Sequence, residues 1–123
     1  MANVFIDYDG TLAEHAFPGW GAWLPGAVDA VDELLAAEHH VTVYSVRLNR
    51  VAFGKEKDPG QYLADRIEMR QRLDDQGLYM VDIYEGDKPY FDLLIDDRAM
   101  RHPGRPGSWK RLTPAVLARL EAK

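Results

Sequence analysis

The sequence contains no cysteine. Disulfides and thiolate metal sites are therefore excluded, and a reducing compartment is the simpler expectation. No stretch approaches the roughly 20 apolar residues that a membrane-spanning helix needs. The N-terminal MANVFIDYDG also lacks the basic and apolar regions of a secretion signal. We therefore expect a cytoplasmic protein that does not contact a membrane.

Basic residues are in the minority, since 15 Lys and Arg stand against 20 Asp and Glu, giving a formal net charge of -5. An acidic balance disfavours binding to nucleic acid through bulk charge, although a local basic patch can still bind it. The length of 123 residues and the absence of repeats predict one domain covering 1–123.

Short apolar runs alternate with amphipathic stretches along the chain. Four runs predict buried strands: 3–7, 41–46, 78–84 and 91–96. Three stretches predict helices: 26–38, 61–76 and a short one beginning after Thr113 and Pro114. Strands that alternate with helices favour right-handed crossovers and a mainly parallel sheet flanked by helices. The sequence therefore predicts a three-layer α/β fold of the Rossmann-like type.

Polar side chains follow three of the predicted strands, and a lysine precedes one of them. They are Asp7 and Asp9 after the first strand, Ser45 and Arg47 after the second, Asp96, Asp97 and Arg98 after the fourth, and Lys88 in the loop before it. The carboxyl ends of parallel strands lie along one edge of a sheet, where ligands bind. Each feature alone has an ordinary structural explanation, such as a turn at DYDG. Together they favour a functional site.

The clustered aspartates require a counter-charge, because neighbouring carboxylates raise one another's pKa. Mg²⁺ prefers oxygen ligands and takes one or two carboxylates together with a substrate phosphate. The set therefore favours Mg²⁺-assisted phosphoryl transfer. Arg47 and Arg98 are each able to grip a phosphate with a forked guanidinium, and Arg98 is equally able to hold a neighbouring aspartate. The four histidines show no metal-ligand spacing and are interpreted as incidental.

Four motifs resemble those of the haloacid dehalogenase-like hydrolase superfamily, in its phosphatase branch. IDYDGTL matches a strand ending in DxDGT, VTVYSVR matches a strand ending in Ser or Thr, Lys88 in GDKPY matches the family lysine, and LLIDDRA matches the acidic pair. The motifs run from residue 3 to 99. The resemblance implies a phosphate-ester hydrolase and not a dehalogenase, because Asp9 supplies the proton that an ester leaving group needs and a halide does not.

The resemblance also implies a role for each matching residue. Asp7 would be the nucleophile that forms an aspartyl-phosphate, and Asp9 would be the general acid and then the base. Ser45 and Lys88, with Arg47 beside them, would bind the phosphoryl oxygens. The implied Mg²⁺ ligands are Asp7, Asp9, Asp96 and Asp97.

The spacing between the motifs leaves no room for the cap domain that many family members carry. The site is therefore expected to be open unless a second copy in a homo-oligomer covers it. A sugar phosphate or a nucleotide-type phosphate is the expected small substrate. Two loops are candidates for recognising it: 13–25, with its aromatic side chains, and 47–57, with its basic ones.

Three other functions stay open. A polynucleotide end-phosphatase is favoured by the basic segments 47–57 and 98–111. A receiver-like domain shares the small α/β fold and the clustered aspartates, but its acidic pair follows the first strand. A non-catalytic phosphate-binding domain would not need a complete set of reacting groups.

Overall fold

The computed structural model describes residues 1–52, 55–85, 89–99, 101 and 104–121. Its centre is a parallel sheet of four strands in the order β5-β2-β1-β6. Their bounds are β1 Asn3–Ile6, β2 His40–Val43, β5 Asp82–Ile83 and β6 Leu93–Ile95. The flanking helices are α1 Ala27–Ala36, α2 Pro59–Asp75 and α3 Ser108–Glu121. The predicted α/β class with a parallel sheet is confirmed.

The core lies between the sheet and the helices α1 and α2. Val4 and Ile6 of the central strand β1 pack with Val31 of α1 and Met69 of α2, and all four are buried. The apolar run NVFI forms a buried parallel strand because both of its edges are paired, with β2 on one side and β6 on the other.

Helix α2 begins and ends on recognisable local signals. Asp58 is the N-cap, and its carboxylate accepts a hydrogen bond of 3.0 Å from the Gln61 amide. Pro59 occupies the first turn, where its missing N–H costs nothing. The helix therefore begins two residues before the predicted start. Gly77 has the left-handed φ of 74° that terminates a helix.

Three further features differ from the sequence-based expectation. A small antiparallel hairpin, β3 Val51–Ala52 with β4 Lys55–Glu56, lies in the stretch predicted as a loop. Strand β5 has two residues where seven were expected. Helix α3 begins at Ser108 and contains Pro114 in its interior, where we expected the first turn. The Thr113 hydroxyl, next to Pro114, donates to the Trp109 carbonyl at 2.7 Å.

Within the described parts of the chain, no helix combines the length and apolarity needed to cross a membrane.

Replacing Leu73 with Ala tests the position of the core. Leu73 of α2 is 0% exposed, whereas Leu63 of the same helix is 53% exposed. Leu73→Ala should lower the free energy of unfolding by about 2–5 kcal/mol, because it removes buried methyl groups and leaves a cavity. Leu63→Ala, the matched control, should cost less than about 1 kcal/mol. Urea unfolding measures both, and equal losses would place this face of α2 outside the core.

Candidate active site

The register of the sheet brings three aspartates together. Ile6 of β1 is paired with Ile95 of β6, and the amide of Asp7 donates to the Ile95 carbonyl at 2.9 Å. Asp96 and Asp97 directly follow β6, so they emerge beside Asp7. One carboxylate oxygen from each of the three lies within 4.8 Å of the other two. The predicted meeting of the first and fourth motifs is thus a consequence of one strand pairing.

Asp7 is in an unfavourable setting for a negative charge. Burial, followed by the charges of Asp96 and Asp97, raises the pKa of Asp7 to about 7, and a hydrogen bond from the Thr11 hydroxyl opposes the rise. That hydroxyl lies 3.4 Å from Asp7 Oδ2. A divalent cation held by the three carboxylates would remove this repulsion, and carboxylate oxygens are the ligands that Mg²⁺ prefers. The donor set therefore fits Mg²⁺.

Asp9 lies two residues further on in entirely different surroundings. Its two carboxylate oxygens accept hydrogen bonds from Arg47, from Nε at 2.7 Å and from Nη2 at 2.8 Å. Arg47 is 1% exposed and Asp9 is 7% exposed. One strand end thus supplies a carboxylate among like charges and a second carboxylate paired with a cation.

The contacts of Asp9 and Arg47 bear on two predicted roles, Asp9 as a metal ligand and Arg47 as a phosphate ligand, and both roles stay predictions. Asp9 directs both of its carboxylate oxygens at Arg47, so it does not share the setting of the three clustered aspartates. Arg47 was expected to bind the substrate phosphate, yet its guanidinium also donates to the carbonyls of Pro18 and Gly19. The pairing of Arg47 with Asp9 joins residues 38 positions apart in the sequence, so no local sequence pattern predicts it.

The second and third motifs are placed less completely. Ser45 follows β2 and is buried, and its hydroxyl oxygen accepts a hydrogen bond of 3.2 Å from the Arg47 amide. Its hydroxyl proton is still able to serve as a donor to another group. Lys88 lies outside the described residues. Its predicted role as a phosphate ligand stays a prediction.

A cavity of about 640 Å³ opens at this edge of the sheet. Its walls carry the acidic residues Asp7, Asp9, Asp96 and Asp97, the cations Arg47, Lys55, Lys57 and Arg98, and the side chains of His15, Phe17, Tyr44, Val46, Asn49 and Glu56. Lys55 and Glu56 form strand β4. The hairpin of the chain itself therefore provides one wall of a site that we expected to be open.

Two residues of the cavity make contacts that the sequence did not indicate. His15, interpreted from the sequence as incidental, has its Nε2 atom 3.4 Å from Asp97 Oδ2 and 3.2 Å from an Arg98 nitrogen. Lys57, from the basic loop that was a candidate for recognising substrate, pairs with the buried carboxylate of Asp65 and donates to the Arg47 carbonyl. Both contacts depend on the folded chain, and no local pattern encodes them.

Comparison with known proteins shows a shared fold. No protein-family model and no curated protein matches the chain. A conserved protein from Bacteroides thetaiotaomicron has a similar structure, with a TM-score of 0.56 and 24% identity over 96% of this chain and 91% of that one. A D,D-heptose 1,7-bisphosphate phosphatase from B. bronchiseptica, complexed with magnesium and phosphate, gives a TM-score of 0.43 and 21% identity over 94% of this chain and 64% of that one. The first likeness shows that the α/β fold extends over nearly the whole chain.

The pKa of Asp7 predicts a pH-dependent stability. The unfolded value is 3.8 and the folded value is about 7. Between these values the unfolded chain loses its proton first, so the free energy of unfolding should fall as the pH rises from 4 to 7, by at most about 1.4 kcal/mol per pH unit. Asp7→Asn should lack this contribution, whereas Asp32→Asn, a change at an exposed position of α1, should keep it. Urea unfolding in a chelator between pH 4.5 and 7.5 measures the difference, and parallel curves for wild type and Asp7→Asn would contradict it.

Comparing Gly10→Ala with Gly26→Ala separates the cost of backbone strain from the cost of crowding at the aspartate cluster. Gly10 and Gly26 share a left-handed φ, 83° and 82°, but a Cβ on Gly10 would overlap the Asp97 carboxylate whereas one on Gly26 would meet no atom within 4 Å. Both Gly→Ala changes should cost about 1–2 kcal/mol from the backbone. Gly10→Ala should cost more than Gly26→Ala and should also weaken Mg²⁺ binding, measured by urea unfolding and by calorimetric titration. Equal losses of stability with unchanged Mg²⁺ affinity would show that Asp97 does not need this space.

Proposed function

We propose that the chain is a single-domain, Mg²⁺-dependent phosphomonoester hydrolase of the haloacid dehalogenase-like type. The observation that carries the proposal is the cluster of Asp7, Asp96 and Asp97 at the carboxyl ends of two paired strands, where it faces a cavity of about 640 Å³. Such charge repulsion destabilises the folded protein unless a cation or a reaction makes use of the carboxylates. The four sequence motifs identify the chemistry that would use them.

Asp7 acts as the nucleophile in this proposal. One of its carboxylate oxygens attacks phosphorus, the ester P–O bond breaks, and the leaving oxygen takes a proton from Asp9. Water then attacks the aspartyl-phosphate and gives a proton to Asp9, while the bond between phosphorus and Asp7 breaks and inorganic phosphate is released. Asp9 lines the same cavity as Asp7, as both steps require.

Asp7, Asp96 and Asp97 would hold the Mg²⁺ ion. When bound, the ion would offset most of the charge of the three carboxylates and polarise the phosphoryl group. Asp96 is positioned for such a role by the amide of Arg98, which donates to its carboxylate at 2.6 Å. Asp97 is held at its backbone by Arg119, which donates to the Asp97 carbonyl at 2.7 Å.

The substrate is proposed to be a small phosphate ester such as a sugar phosphate or a nucleotide. Phe17 is 60% exposed, and its ring and that of Tyr44 line the cavity, so both are available to stack on a sugar or a base. Ser45 and Lys88 are proposed to bind the phosphoryl oxygens. Lys55 adds positive charge to the wall of the cavity, whereas the charge of Lys57 is already paired with that of Asp65.

A polynucleotide end is the second candidate substrate. Lys55, Lys57 and Arg98 line the main cavity, and Arg101, Arg105 and Arg111 line a smaller cavity of about 260 Å³. Such cations would contact the phosphates of a strand that continues away from the reacting end. Turnover of an oligonucleotide should then fall steeply with salt, whereas turnover of a sugar phosphate should not.

The test is phosphate release with and without Mg²⁺. The substrates are sugar phosphates, nucleotides and 3′- or 5′-phosphorylated oligonucleotides. Wild type should release phosphate only with Mg²⁺, and Asp7→Asn should lose on the order of 10³-fold or more in rate because the nucleophile is gone. Asp32→Asn is the matched acid-to-amide control and should keep the full rate. Equal release by Asp7→Asn and wild type would refute the nucleophile, and the absence of release from every ester would refute the enzymatic function.

A further inference from the structure

Arg47 connects Asp9 to the aromatic loop at residues 13–25. Beyond its two hydrogen bonds to Asp9, it donates from Nη1 to the Pro18 carbonyl at 3.2 Å and from Nη2 to the Gly19 carbonyl. Its guanidinium carbon lies 4.0 Å from the centroid of the Trp20 ring and 4.9 Å from that of Phe17. The guanidinium is therefore fixed by a carboxylate, by two carbonyls and by two rings.

This arrangement restrains the Asp9 side chain. A carboxylate that accepts two parallel hydrogen bonds from one guanidinium is fixed in direction as well as in position. A lysine offers one point charge on a flexible stem and is unable to hold both oxygens or to stack on the ring of Trp20. With both Asp9 oxygens accepting, the fork matches the carboxylate form of Asp9, which in the proposed reaction is the form left after Asp9 has given its proton to the leaving oxygen.

We propose that Arg47 is a positioning residue that holds the Asp9 carboxylate ready to accept a proton from the attacking water. The proposal rests on the function proposed above and deepens its second step. In that step the water oxygen bonds to phosphorus, its proton passes to Asp9, and the electron pair of the breaking bond returns to the Asp7 carboxylate. Arg47 touches neither the phosphorus nor the water, and acts only by fixing Asp9.

Dinitrophenyl phosphate separates the two steps, because its leaving group departs without needing a proton. Formation of the aspartyl-phosphate should then be insensitive to Asp9, whereas its hydrolysis should depend on Asp9. In rapid-mixing experiments with Mg²⁺, Arg47→Lys should release about one equivalent of dinitrophenolate at close to the wild-type rate. The steady rate that follows should be about 10²-fold slower than in wild type, the scale of a lost general base. Asp9→Asn should behave in the same way.

Arg72 provides the matched control. It contacts the same loop, since it donates to the Gly21 carbonyl at 3.1 Å and its guanidinium carbon lies 5.2 Å from the Trp20 ring centroid, but none of its described contacts is to Asp9. Arg72→Lys should therefore keep the wild-type steady rate. For Arg47→Ala, guanidinium added to the solution should restore part of the steady rate. Thermal unfolding and inhibition by inorganic phosphate should be measured for every variant.

The possible outcomes distinguish a positioning role of Arg47 from other roles. If Arg47→Lys slows the burst itself and weakens inhibition by phosphate, Arg47 binds the phosphoryl group directly and the proposal is overturned. A steady rate that falls equally in Arg72→Lys and Arg47→Lys would assign the effect to the loop and would also overturn it. A selective loss in Asp9→Asn that Arg47→Lys does not share would overturn the positioning role alone. Absence of Mg²⁺-dependent turnover in wild type would overturn the proposed function together with this inference.

Discussion

The pairing of β1 with a parallel strand on each side is the constraint on which the site depends. Ile6 is aligned with Val43 of β2 and with Ile95 of β6, so the residues that follow these three strands emerge at one edge of the sheet. A slip of one residue between β1 and β6 would move Asp96 and Asp97, which follow β6, out of alignment with Asp7. The present register is the one in which the Asp7 amide donates to the Ile95 carbonyl. The meeting of the three aspartates is thus set by this strand pairing.

Two carboxylates at the end of one strand are given opposite electrostatic surroundings. Asp7 faces Asp96 and Asp97, and burial with their charges raises its pKa to about 7. Asp9 faces a buried guanidinium. Breaking a buried ion pair costs several kcal/mol, because the remaining charge is left without a partner. The two acidic groups therefore have different counter-charges: Arg47 for Asp9 and, as proposed, Mg²⁺ for Asp7.

The sequence was sufficient for those parts of the molecule that local patterns encode. The central strands follow from apolar runs, and the meeting of Asp7 with Asp96 and Asp97 follows from parallel topology. The partner of Arg47 could not be predicted, because Asp9 lies 38 positions away in the sequence and the two side chains meet only in the folded chain. The start of α3 was misplaced because Pro114 was taken to mark the first turn. The helix instead begins at Ser108, which is buried and whose hydroxyl accepts a local hydrogen bond from the Arg105 amide three residues earlier. The two-residue strands of the hairpin are too short to leave a periodic pattern.

The shortness of β5 bears on the chemistry of the cavity. With two residues, β5 has few backbone hydrogen bonds to β2, and aromatic contacts on the sheet supplement them. The ring of Tyr84, which follows β5, lies 5.4 Å from that of Phe5 and 5.7 Å from that of Tyr44 between centroids, and such pairs contribute about 0.5–1.5 kcal/mol each beyond area burial. Tyr44 also lines the cavity. A ring that helps to hold a short strand in the sheet therefore also forms an apolar wall of the cavity that the clustered aspartates line. The shape of this wall and the stability of the sheet edge thus depend on the same side chain.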